Sequence, residues 1–196
     1  MRMAFLFRKP LPDKLKRAGV AALLGVFAET FDVQPPDVSS MSCPDALYTF
    51  REFSAACMEE ALASPAYAQA RRADLESRAR NLGSTARRLL KPRDAELPEL
   101  VSALYAAIEI QVEGDMPGRL RFHRCYFSER YTPGLCWFMS AFDSGFVGGL
   151  AGGGSLSFES RLTEGAPCCM ALFETFDVPP KSFGEAHRKR LLEEVR

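Results

Sequence analysis

Residues 135–162 read LCWFMSAFDSGFVGGLAGGGSLSFESRL, and the fold turns on how this stretch is divided. Its first part is dense in Trp137, Phe138, Met139, Phe142, Phe146 and Val147, which predicts a buried helix over 135–150. The glycines Gly148, Gly149, Gly152, Gly153 and Gly154 are expected to end that helix. Ser155–Leu162 then reads as a strand, and a turn at Thr163–Pro167 leads into a second, Cys168–Phe176, giving a hairpin.

Just upstream, Pro117 and Gly118 make a turn, and Arg119–Phe127 alternates through Leu120, Phe122, Arg124 and Tyr126 as another strand. Everything before it reads as helix. Leu15, Val20, Leu23, Leu24 and Phe27 recur at helical spacing in 11–30. Ser42 or Asp45 can cap a second helix running through Leu47, Phe50, Phe53, Cys57 and Ala61. A third spans 66–90 and stops at Pro92, and a fourth runs from Glu96 to about Val112. The expected class is α+β: a helical N-terminal half packed on a small antiparallel sheet formed by the C-terminal third. Residues 1–196 form one domain in this reading. Positions 1–113 are mainly helical, 114–180 carry the strand-helix-hairpin segment with the candidate site, and 181–196 are a charged tail with a short surface helix at 185–196. Glu29-Thr-Phe-Asp-Val33 recurs as Glu174-Thr-Phe-Asp-Val178, a match too short to define a repeat unit.

Composition excludes several functions. The 196 residues carry 25 basic and 25 acidic side chains, so no global field exists to hold nucleic acid or an anionic membrane. The basic cluster from Arg71 to Arg93 is interrupted by Asp74 and Glu76 and reads as a solvated helix face. The apolar run Ala18–Ala28 is too short to span a bilayer, and acidic residues follow it directly, so the expectation is a cytoplasmic protein without a membrane span. Six cysteines show no CxxC spacing; reduced thiols are expected, and no metal or other cofactor is called for. A small-molecule substrate or ligand is the expected partner, and a homodimer stays open as the assembly.

The residues able to carry chemistry gather after Arg119. Cys125, Cys136, Cys168 and Cys169 lie there with His123 and Asp143. Alternation places His123 on the same strand face as Cys125, where it could act as a base toward a thiol. Asp143 sits inside a strongly apolar helix, so it must be paired or face a polar cavity. The glycine run lacks the Lys and Ser/Thr of a nucleotide-binding loop and follows a helix instead of preceding one; it reads as a close backbone approach.

Leu135-Cys136, Asp143, the run Leu156–Arg161, Gly165 and Cys169 together resemble the C-terminal signature of the L-2-amino-thiazoline-4-carboxylic acid hydrolase family. They also look like 4-vinyl-reductase-type domains and the transport-particle subunits of similar fold, which hold small hydrophobic ligands between helices and an antiparallel sheet. The likeness covers roughly the last third of the chain. It implies hydrolytic opening of a cyclic amidine-like thiazoline, with Asp143 as base, Cys136 or Cys169 as nucleophile or pocket wall, and His123 as a further acid-base group. Cys125, Trp137, Met139, Phe146 and Arg161 would then contact the ligand. The alternative is a non-catalytic binding or sensory module built on the same pocket.

Overall fold

The computed structural model describes residues 11–176; the tail helix expected at 185–196 lies outside them. Helix α1 spans Asp13–Phe31 and closes on Asp32 in the left-handed conformation (φ 57°), whose N–H reaches the Ala28 carbonyl. In α2, Cys43–Leu62, the Ser42 hydroxyl accepts from the Asp45 N–H at 3.3 Å and donates to its carboxylate at 2.6 Å, while Pro44 occupies the first turn. Helix α3, Pro65–Leu90, ends at Lys91, also left-handed, one residue before Pro92.

The fourth helix is shorter than its sequence pattern predicts. Helix α4 covers Leu97–Ala106, the chain turns at Glu109 (φ 58°), and Ile110–Gly114 is strand β1. Ile110 and Val112 are buried while Gln111 and Glu113 are exposed, so the alternation at 110–113 prevails over the helical spacing of Ile108 and Val112. Strands β2 (Gly118–Cys125), β3 (Ser155–Ser160) and β4 (Cys169–Glu174) complete an antiparallel sheet of order β1-β2-β4-β3. The result is an α+β fold.

Helix α5, Pro133–Ala151, lies between α3 and the sheet. Thr132 caps its start by accepting from the Leu135 N–H. Gly148 and Gly149 are inside the helix and do not end it; Gly152, at φ 85°, is the cap. The internal glycines serve the crossing with α3. A Cβ at Gly145 would lie 2.9 Å from the Glu76 carbonyl carbon, and one at Gly149 would lie 2.9 Å from the Ser84 nitrogen. Gly83 of α3 meets the α5 backbone as closely from the other side. The two backbones therefore touch where any side chain would hold them apart. Arg80 and Arg87 donate to the carbonyls of Gly154 and Leu150, at 3.0 Å each, so cations sit at the negative end of α5.

Across the core, Phe27 of α1 meets Phe50 of α2 edge-on at 5.4 Å and lies 6.4 Å from Phe142 of α5, which ties three helices together. Phe27, Phe50, Phe138 and Phe173 are all fully buried, each contributing about 1.5–3 kcal/mol by removal of apolar surface from water. The matched pentapeptides have different structures. Glu29–Asp32 winds up the end of α1, whereas Glu174 closes β4 and 177–180 lie outside the described residues.

Candidate functional site

Two bulges set the inner face of the sheet. In the β1–β2 ladder Gln111 pairs with Arg124 and Val112 with Phe122, so His123 is an extra residue in β2. In the β3–β4 ladder Phe158 pairs with Ala171 and Ser160 with Met170, so Glu159 is an extra residue in β3. Each insertion reverses the alternation beyond it. Phe122 and Phe158 point inward as the plain pattern requires, and the shifts bring Cys125 and Arg161 inward too.

His123 is consequently separated from Cys125. It lies on the outer face of the sheet, exposed, with Nε2 2.8 Å from a carboxylate oxygen of Glu113. The expectation that alternation would put His123 and Cys125 on one face is corrected by the bulge, and His123 takes no part in the site.

Between the helices and the inner sheet face lies a cavity of about 250 Å³. Leu23 of α1, Leu104 of α4, Met139, Phe142 and Phe146 of α5, Phe122 of β2 and Phe158 of β3 make its walls apolar. The polar residues among its lining are Asp143, Tyr105, Tyr131, Cys125, Cys136 and Cys169, with Lys16 from α1. Asp143 and three of the cysteines singled out in the sequence thus border one space, together with Met139 and Phe146.

Asp143 is held by one bond, from the Tyr105 hydroxyl to Oδ1 at 2.8 Å. Burial raises its carboxyl from 3.8 to about 6, with the Tyr105 hydrogen bond and the positive charge of Arg161 opposing the rise. The group is therefore mostly ionised at neutral pH. Its second oxygen, Oδ2, has no hydrogen-bond partner among the described residues and is not sealed off by surrounding atoms. Tyr131 spends its hydroxyl elsewhere, 2.6 Å from Ser54 Oγ, which in turn donates to the Phe50 carbonyl at 2.7 Å.

The thiols behave as acids weaker than usual. Burial pushes Cys125 up to about 12 and Cys136 up to about 11, and raises Cys169 as well. The Thr163 hydroxyl beside Cys136, and the Leu162 N–H donating to Cys169 Sγ at 3.2 Å, favour the thiolates without outweighing desolvation. All three are protonated at neutral pH and poor nucleophiles in that state.

Two residues expected to touch a ligand are placed otherwise. Trp137 is turned toward α3, where the Arg72 guanidinium lies over its ring at 4.7 Å and donates to its carbonyl at 3.3 Å. Arg161 lies against the Phe158 ring at 5.5 Å and donates to Glu164 at 3.1 Å; it adjoins the cavity without lining it. Its Nε is buried and makes no hydrogen bond.

Tyr105 is the residue of the candidate site that the sequence pattern hid. It falls one turn after Val101 on the apolar stripe of α4, where a tyrosine needs a partner for its hydroxyl, and Asp143 on α5 needed a donor. Matching those two unmet requirements would have paired them. Among the described residues no three His, Cys, Asp or Glu side chains are placed to hold a metal ion, and no helix is long and apolar enough to cross a membrane. No family model, curated protein or solved structure matches this chain.

Proposed function

We propose that this protein is a non-catalytic binding module for a small, mostly apolar molecule, held between α1, α4, α5 and the inner face of the sheet. The carrying observation is the cavity itself: apolar walls from five elements, with only a few polar groups among its lining residues. Protonated cysteines that pack as small hydrophobes fit that role better than nucleophilic catalysis. The resemblance to ligand-holding 4-vinyl-reductase-type domains points the same way.

Native mass spectrometry of protein purified from its own host, beside the denatured mass, tests the proposal. A non-covalent increment that is present in the wild type and absent from Ala22→Trp supports it, because Ala22 lines the cavity and the indole would fill the space. An increment of equal size in both proteins would place the ligand elsewhere.

One observation favours a second reading, hydrolysis of a thiazoline-type ring. Asp143 offers a carboxylate titrating near 6 on the same cavity as three thiols, which suits a general base for water. Ring opening of 2-amino-thiazoline-4-carboxylate by the wild type and not by Asp143→Asn would establish it; no turnover leaves the binding role.

A further inference from the structure

The cavity's polar groups restrict what it would hold, and this step rests on the binding role proposed above. Asp143 brings a negative charge into a space walled mostly by hydrocarbon and aromatic rings, with Lys16 the one cation among its described lining residues. Buried charge of this kind is costly unless it is paired. Tyr105 satisfies one oxygen, and Oδ2 has no partner among the described residues. Arg161 offsets part of the charge through space, but no cation among the described residues bonds to Oδ2: Arg161 directs its hydrogen bond to Glu164, and Lys16 lies 3.6 Å from Asp13.

Aromatic rings share the cavity lining with the carboxylate. Tyr105 and Phe122 meet at 5.7 Å, Phe122 and Phe158 at 5.5 Å, and Phe142 stacks on Phe146 at 5.9 Å, the last two flanking Asp143 on α5. Ring faces carry negative quadrupole density and attract cations, most strongly where water is excluded. A carboxylate oxygen without a partner among the described residues and several aromatic rings lining one mostly apolar cavity match a protonated amine attached to an apolar body. A neutral hydroxyl would satisfy Oδ2 but leave the charge unbalanced, and an anion would be repelled.

We infer that the ligand is a lipophilic amine, whose ammonium group pairs with Asp143 among the aromatic rings while its hydrocarbon part fills the remainder of the cavity. The pairing then depends on the ionisation of Asp143. The other titratable groups facing it are Tyr105 from α4, Tyr131 before α5, and the thiols of β2, α5 and β4. All of these are shifted upward by burial, so among them Asp143 alone changes charge between pH 5 and pH 8. Lys16 on the cavity lining and Arg161 beside it are the neighbouring cations.

Isothermal titration of the full chain with three molecules of one shape, 4-phenylbutylamine, 4-phenylbutan-1-ol and pentylbenzene, tests this. At pH 7.5 the amine should bind about tenfold to a hundredfold tighter than the other two, the worth of a charge-assisted hydrogen bond in a desolvated site. That preference should shrink as pH falls through 6 and vanish in Asp143→Asn. Pentylbenzene binding by the variant controls for its fold, since Asn can still accept from Tyr105. Equal affinities in the wild type, or an amine preference that survives Asp143→Asn, overturns the inference while leaving the apolar cavity standing. Failure of all three to bind overturns both.

Discussion

Replacing Gly145 with alanine should destabilise the protein, although alanine is intrinsically the better helix former. Within a helix the exchange gains about 1 kcal/mol of propensity. At Gly145, however, the new methyl carbon would lie 2.9 Å from the Glu76 carbonyl carbon and 3.1 Å from the Ala79 methyl. Ordinary carbon–carbon contact is about 3.5–4.0 Å, so α3 and α5 must separate by roughly 0.5–1 Å along the crossing. Overpacking of that kind costs about 1–3 kcal/mol or more, and here the obstacle is backbone on both sides, which cannot swing away. An obstacle made of backbone puts the cost in the upper part of that range, about 2–3 kcal/mol, so the net expectation is a loss of about 1–2 kcal/mol after the propensity gain is offset. Gly25 of α1 provides the control, because a Cβ there meets nothing within 4 Å. Gly25→Ala should therefore stabilise by up to about 1 kcal/mol. Urea denaturation followed by circular dichroism measures both. Opposite signs are expected, and a Gly145→Ala protein as stable as the wild type would refute the description of the α3–α5 crossing.

Three further outcomes follow from the site. Asp143, near 6 in the fold against 3.8 ordinarily, gives stability that is fully present below about pH 4 and lost as pH rises through 6. Relative to the wild type, Asp143→Asn should gain up to about 3 kcal/mol between pH 4 and pH 7, and denaturation curves that stay parallel across that range would contradict it. Tyr105→Phe removes the hydrogen bond that favours the carboxylate, so the Asp143 carboxyl, followed by carbon NMR, should titrate higher than in the wild type; a lower value would be inconsistent with that bond. Cys125 and Cys136, whose thiols burial holds protonated, should react with a maleimide far more slowly in the native protein than after denaturation, when all six cysteines should react; equal rates in the two states would contradict it.

The helical half was legible because its signals are local. Leu23, Leu24 and Phe27 form a stripe, Ser42 caps, Pro92 stops, and each helix began or ended within a few residues of its pattern. The end of α4 was not legible, since Ile108, Ile110 and Val112 satisfy both helical and strand spacing and only the sheet decides between them. The inward turn of Cys125 and Arg161 depends on bulges at His123 and Glu159, which are properties of a paired ladder and leave no mark in a single strand's sequence. Asp143 was recognisable as an acid out of place; its partner, Tyr105, was hidden because a tyrosine on an apolar stripe resembles any core aromatic. The glycines read as a close approach did make one, but against α3 along the length of α5 and not only at its end.

The central claim is that a small molecule enters the space beside Asp143. Methyl NMR of protein carrying carbon-13 in its methionine methyls, titrated with 4-phenylbutylamine, addresses it directly. Met139 lines the cavity, whereas Met58 is in the core away from it and Met170 lies on the opposite face of β4 from Cys169 and Ala171. A saturable shift of the Met139 signal, with Met170 unmoved, is the expected result. Saturation that moves Met170 and leaves Met139 in place, or no saturable change at all, would contradict the account.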